Sequence, residues 1–225
     1  MVNYNPFAKD FAKSRENMKW EEISYFCRFL TQNSLYRNQE SVLDVGCGSG
    51  RLIAQMNSEG FLYQNYLWID MSQELIQEAK KNFPEHNFLV SDMLNLNETH
   101  TKYSIIFFIA SFHHLDNFEQ RQKVLEIYRE KLLPWGYICM THWALESEKN
   151  REKYRDSYIL ESQNKYGSKD FSIKFGKHQR YYHSFSLQEL EVLSQQSGLS
   201  LRENREFETG NNLISIFQEK KQKDL

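Results

Sequence analysis

The sequence predicts an α/β fold, a mostly parallel sheet between helices that closes on an antiparallel hairpin at its C-terminal end. Three observations predict it. The apolar segment Val42-Leu43-Asp44-Val45 runs into glycines at alternate positions, Gly46, Gly48 and Gly50, and then into a helical pattern. Short apolar segments followed by helical periods recur at 66–70, 87–90, 103–109 and 137–142, and that alternation implies right-handed parallel crossovers. Two strand-like stretches, 199–207 and 211–218, flank Thr209-Gly210 and read as the closing hairpin. With 225 residues, 40% of them hydrophobic, the chain can fill one good-sized core.

Residues 1–17 read as an extended or capping arm, and 18–31 as a helix with Trp20, Ile23, Phe26, Cys27 and Leu30 at helical spacing. The helix after the glycines covers 50–58 and ends near Gly60. Ser72 is an N-cap for a helix through Leu75, Ile76 and Ala79 to Lys81, stopped before Pro84. Tyr103–Ile109 is apolar on both faces and therefore central. Asn117 with Gln120 forms a capping-box pattern that opens a helix burying Val124, Leu125, Ile127, Tyr128 and Leu132 and ending at Leu133-Pro134-Trp135-Gly136. Ser186 with Glu189 opens the last helix in the same way, and 220–225 should fray.

Composition narrows the function classes. A formal net charge of -2 gives no general affinity for polyanions. Cys27, Cys47 and Cys139 show no paired spacing, so neither disulfides nor a metal site is expected, and a reducing, cytoplasmic setting follows. The N-terminal Met1-Val2-Asn3-Tyr4-Asn5-Pro6 has no basic region before an apolar stretch, and no run reaches membrane-spanning length.

Glycines at 46, 48 and 50 let a chain turn sharply and bring bare backbone against a ligand. Their spacing is neither the G-x-G-x-x-G of dinucleotide sites nor a Gly-Lys-Ser/Thr phosphate loop. A carboxylate suited to a ribose diol, Asp70, closes the next strand, because two vicinal donors match one two-oxygen acceptor. Asp92 follows the third strand. A lone Asp after a strand is ordinarily a turn residue or cap, but three such positions in register lie on the edge where open α/β sheets bind ligands. Asp44 with the three glycines resembles the first motif of the Rossmann-like class I methyltransferases, whose cofactor is S-adenosylmethionine. That resemblance implies a seven-stranded sheet. It places Asp44, Gly46, Cys47, Gly48 and Gly50 at the methionine end of the cofactor, Asp70 and Met71 at the ribose, Asp92 and Met93 at the adenine, and Ala110 at the exit of the fourth strand.

The exit Ala110-Ser111-Phe112-His113-His114-Leu115 is where such folds hand over the methyl group. It lacks the Asn/Asp-Pro-Pro-Tyr/Phe of adenine and glutamine enzymes and the Pro-Cys of cytosine-C5 enzymes, so DNA is not an expected partner. His114 reads as a packing or capping residue, and His113 as a donor near the reacting methyl. Residues 162–183 carry Lys165, Lys169, Lys174, Lys177 and Arg180 against Asp170, interleaved with Tyr166, Phe171, Phe175, Tyr181 and Tyr182. Such a stretch reads first as an amphipathic lid over the substrate pocket, and alternatively as a single-stranded RNA reader.

The segments Ile109–Leu115, Trp143-Ala144-Leu145-Glu146 and Arg180-Tyr181-Tyr182-His183 resemble the tRNA wobble-uridine carboxymethyl methyltransferases, as do Ser14-Arg15 with Trp20 and Gly210-Asn211-Asn212. The chain departs from that family's pattern at Glu16, Ser147 and Leu133-Pro134-Trp135-Gly136. The resemblance implies an N-terminal arm and helix (1–35) over the cofactor site, a methyltransferase domain (36–225) and a substrate-side insertion at about 144–185. It implies methylation of a uridine 5-carboxymethyl group, with tRNA and a small zinc-containing activator protein as partners and no membrane. A carboxylate is already ionised at neutral pH, so the acceptor needs cations and alignment rather than a base. Arg15 and Arg180 are the candidates to hold it, with His113 and His183 positioning the oxygen or the base. A small-molecule O- or N-methyltransferase, or a non-catalytic cofactor-binding subunit, are the alternatives.

Overall fold

The computed structural model describes residues 4–15, 18–36, 38–96 and 101–219. Strands β1 (Glu40–Val45), β2 (Tyr63–Asp70), β3 (Phe88–Val90), β4 (Tyr103–Ile109) and β5 (Leu132–Trp143) run parallel, in the spatial order β3-β2-β1-β4-β5. Two further strands, β8 (Leu199–Glu206) and β9 (Asn212–Glu219), complete the seven-stranded sheet, β9 lying antiparallel to both β5 and β8. The order reverses between β1 and β4, which opens a crevice at their C-terminal ends.

Alternation along β4 divides the core. Ile106 and Phe108 face α5 (Phe118–Glu130) and α7 (Leu187–Gln196), packing with Val124, Leu125, Tyr128, Leu190 and Leu193. Ile105 and Phe107 face α2 (Glu21–Asn33) and α3 (Arg51–Ser58), packing with Ile23, Phe26, Leu30, Ile53 and Met56. The central placement of this strand follows from its being apolar on both faces. Three helix starts are capped as their sequences indicate. Ser72 Oγ accepts from Leu75 N–H at the head of α4 (Gln73–Asn82), Asn117 Oδ1 from Gln120 N–H, and Ser186 Oγ from Glu189 N–H.

Three segments differ from expectation. The arm is helical, with a 3-10 turn at Asn5–Phe7 and α1 at Ala8–Arg15, because burial of Phe7 and Ala8 outweighs its weak amphipathic pattern. Helix α5 ends at Glu130, and Leu132 instead pairs with Tyr103 at the head of β5, across an irregularity that Trp135 absorbs at φ 64°. Ile127 is half-buried. The polar insertion holds a short α6 (Arg151–Tyr154) and a separate hairpin, β6 (Lys169–Phe175) and β7 (His178–Ser184). Its aromatic residues turn inward: Phe171 and Tyr182 are buried with Leu145 and Ile173, while Phe175 packs on Phe7.

The fraying expected at 220–225 lies outside the described residues. Among the described residues no helix is long and apolar enough to cross a membrane, and no cluster of His, Cys, Asp and Glu could hold a metal ion.

Candidate active site

The crevice is a cavity whose floor is the glycine turn. Gly46 has φ +80°, and a Cβ there would lie 2.4 Å from Ser111 Cβ. Gly48 has φ +57°, and a Cβ there would meet nothing within 4 Å, so a side chain would stand in the open cavity. Asp70 closes the unit. Its Oδ2 accepts from Gly48 N–H at 2.9 Å and its Oδ1 from Ser72 N–H at 2.8 Å. Burial pushes its carboxyl up, and these two amide bonds pull it back part of the way.

Cys47, Met71, Met93 and Ala110 also line the cavity. Ala110 is held at φ 54°, a left-handed conformation unfavourable for a residue with a Cβ, by its N–H bonds to the carbonyl and Oγ1 of Thr141. Three expected cofactor residues stand behind the wall rather than in it. Gly50 is the N-cap of α3. Asp44 is buried under the turn, its Oδ1 without a partner among the described residues; burial raises its carboxyl to about 8, against the pull of Arg51 and with the push of Asp70. Asp92 caps its own turn, Oδ1 accepting from Leu94 N–H at 2.9 Å, and Ser91 and Met93 present themselves to the cavity instead. An Asp with a backbone N–H two residues on forms this local turn readily.

The opposite half is built from the loop after β4, the end of β5, strand β7 and the arm. His113 is buried, and burial foremost, then the neighbouring His114, His142, Arg180 and His183, hold its ring well below the usual histidine range. Its Nδ1 accepts from Trp143 N–H at 3.3 Å, which assigns the proton to Nε2, and that atom has no hydrogen-bond partner among the described residues. His114 also reaches the cavity but is fully engaged, Nδ1 donating to Tyr181 O at 2.9 Å and Nε2 accepting from the Tyr4 hydroxyl at 3.0 Å. Burial lowers its ring to about 4.

Three guanidinium groups line this cavity, with Asp70 as the carboxylate among the lining residues. Arg180 is 3% exposed, its Nε and Nη1 have no partner among the described residues, and its charge lies over the rings of Phe175 and Tyr182 at 5.0 and 5.2 Å. Arg15 comes from the end of α1; burial lowers it, Tyr182 opposing and the like charge of Arg180 adding to the effect. Arg51, not singled out from the sequence although it follows the last glycine directly, stacks over Trp20 at 3.8 Å. Burial and then Arg15 push it down to about 10 against the pull of Asp44 and Glu22. Tyr4, Phe11, Trp20, Trp143 and Tyr182 complete the wall. Tyr4 and Phe11 had no local signal, whereas Trp143 and Tyr182 lie within segments that carried the family resemblance.

His183 is not part of the cavity wall. Its Nδ1 lies 2.6 Å from Asp170 Oδ1 and its Nε2 2.9 Å from Glu189 Oε2, so the ring is committed on both sides. The reason is strand alternation. Arg180 and Tyr182 share one face of β7 with Ile173 and Phe171 opposite them, while Tyr181 and His183 share the other with Ser172 and Asp170.

These residues fit S-adenosylmethionine. The turn at Gly48 leaves room for the cofactor against bare backbone, the Asp70 oxygens retain lone pairs for a diol, and Met71 and Met93 offer apolar contacts. The unpaired Nε of Arg51 suits the α-carboxylate of the methionine moiety.

Residues 42–136 match the family described as Methyltransferase domain. The chain is 29% identical over 153 residues to the tRNA (carboxymethyluridine(34)-5-O)-methyltransferase of Saccharomyces cerevisiae, covering 68% of this chain and 50% of that protein. It is 24% identical over 216 residues to the Schizosaccharomyces pombe protein of the same name, covering 89% of this chain and 88% of that one. The chain thus spans about half the length of the S. cerevisiae relative. Its fold superposes on a S-adenosylmethionine-dependent methyltransferase from Clostridium acetobutylicum with a TM-score of 0.67 at 14% identity, covering 96% of this chain and 98% of that one. In its strand order and in the match of residues 42–136 to the methyltransferase domain, this chain resembles the class I S-adenosylmethionine-dependent methyltransferases.

Proposed function

We propose that the acceptor is a carboxylate, that of a 5-carboxymethyl group on a tRNA wobble uridine, which the protein converts to its methyl ester. The observation that carries this reading is Arg180, a buried guanidinium in the cavity wall whose Nε and Nη1 have no hydrogen-bond partner among the described residues. A guanidinium with free N–H groups facing a cavity is matched by a two-oxygen anion. The Nε2–H of His113 is a neutral donor to the same acceptor.

S-adenosylmethionine supplies an electrophilic sulfonium methyl. With that cofactor held at Gly48 and Asp70, transfer would join the methyl to a carboxylate oxygen and leave the S–CH₃ electron pair on sulfur. No proton moves. A site of cations and neutral histidines is therefore sufficient, and alignment is its main contribution.

Support for RNA comes from the two relatives named for that reaction and from the rim of the cavity. Lys9 and Lys13 are exposed on α1, and Lys174 and Lys177 at the tip of the hairpin, on elements joined through Phe7, Phe11 and Phe175. These lysines suit phosphates, while the inward aromatic rings leave base recognition to the cavity.

The test is methyl transfer from labelled S-adenosylmethionine into tRNA lacking the modification, with nucleoside analysis, run alone and with a small zinc-containing activator protein. Label in a wobble-uridine ester is the expected result. Cofactor binding without label in RNA overturns the tRNA reading and turns the search to small-molecule acceptors.

A further inference from the structure

The β6–β7 hairpin carries Arg180 and Tyr182 into the cavity yet forms no ladder with the seven-stranded sheet. A two-stranded ribbon is marginal by itself, and beyond one backbone bridge to Tyr158 and Ile159 its placement depends on side chains. One face is anchored by Phe171, Ile173 and Tyr182 against Leu145. The other is held by a buried polar network centred on His183.

From His183 the network runs two ways. Nδ1 reaches Asp170 Oδ1 at 2.6 Å, and the same oxygen accepts from the Tyr181 hydroxyl at 2.8 Å. Nε2 reaches Glu189 Oε2 at 2.9 Å, on α7. The second oxygen of Glu189 lies 3.1 Å from Arg121 Nη1, and Arg121 Nη2 donates to Leu115 O at 2.9 Å, directly after the two histidines. His114 Nδ1 closes the circuit on Tyr181 O. His183, Glu189 and Arg121 are all nearly or fully buried. The hairpin and the histidine loop are therefore tied to one largely buried polar network.

We infer that His183 is a positioning residue: by bridging Asp170 and Glu189 it sets the hairpin against α7, α5 and the His113–His114 loop, and so aims Arg180 at the acceptor. The functional part rests on the reading of Arg180 as the acceptor's partner. The structural part does not.

The test combines hydrogen exchange with a double-mutant cycle on the full chain. His183→Asn should speed amide exchange by about tenfold or more in both 178–184 and 112–115, two segments far apart in sequence, while the parallel core strands keep their protection. Cofactor affinity should stay within about twofold, while acceptor kcat/KM falls by about tenfold or more. In an Arg180→Gln background the same change should cost less than about twofold further, since a residue acting through Arg180 has nothing left to position. Equal costs in both backgrounds, or exchange unchanged in either segment, would overturn the inference. Asp170→Asn, which keeps the Glu189 side of the bridge, gives the same pattern in smaller measure if the histidine variant does not fold. Absence of any transfer to carboxylates by the wild type defeats the proposed function alone, and the exchange data still decide the role of His183.

Discussion

Gly48 N–H donates to Asp70 Oδ2 at 2.9 Å, so the glycine turn after β1 and the acid at the end of β2 form one hydrogen-bonded unit. Ser72 N–H occupies the other oxygen at 2.8 Å. Each oxygen keeps a second lone pair, and two such acceptors side by side fit a ribose diol. Asp70→Asn replaces one of them with donors facing an amide N–H. Calorimetry should show S-adenosylmethionine binding weakened by roughly 10- to 100-fold; unaltered affinity would take Asp70 out of the site.

Arg180→Lys keeps the charge but loses the planar fork. Acceptor kcat/KM should fall by about 10- to 100-fold while cofactor affinity stays within about twofold, measured by initial rates and titration. A parallel loss of cofactor affinity would reassign Arg180 to the cofactor half.

Asp44 gives the cofactor-free protein a pH dependence. Its folded pKa, about 8, lies above the ordinary carboxylate value of 3.8, burial being the main cause. Charging it is therefore unfavourable in the folded state, and its contribution to stability declines as pH rises from about 4 through about 8 and is level beyond. Thermal midpoints across this range should fall for the wild type and fall less for Asp44→Asn. Matching slopes would refute a buried, strained carboxylate.

Glu189 acts in the opposite sense. Burial alone would raise its carboxyl, but the hydrogen bond and charge of His183, then Ser168 and Arg121, bring it down to about 2. With a folded pKa below the unfolded value of about 4.3, its stabilisation is present above that value and is lost as pH falls through about 2. Acid titration followed by circular dichroism should show Glu189→Gln less stable at pH 7 and less sensitive to acid than the wild type, the first effect on the order of 3 kcal/mol.

Salt should separate the rim lysines from the cavity. Affinity for tRNA should fall steeply with ionic strength, and Lys174→Gln with Lys177→Gln should flatten the log–log slope by about 1 to 2 with cofactor affinity preserved, measured by fluorescence anisotropy. An unchanged slope would place the RNA elsewhere.

The reach of sequence reasoning differs between the two halves of the site. Gly46, Gly48, Asp70, Met71, Met93 and Ala110 were legible because each follows directly on an apolar strand, and the ends of parallel strands share one edge. Asp92 stands outside the cavity lining: a turn-capping Asp and a ligand-facing Asp look alike in sequence, and here its Oδ1 takes the Leu94 N–H. His183 was drawn into the site by its place in Arg180-Tyr181-Tyr182-His183, a motif whose strand period became visible only once β7 was seen to pair with β6.

By itself, then, the sequence determined the sheet, its helices and the glycine-turn half of the cavity lining, because those features are encoded within single strand–turn–helix units whose chemistry is local. Tertiary structure decided the opposite half of the cavity. Arg15, His113, Trp143 and Arg180 come from four distant segments, and the burial of Phe7 and Phe175 against each other and the buried charges around His183 bring them to one cavity.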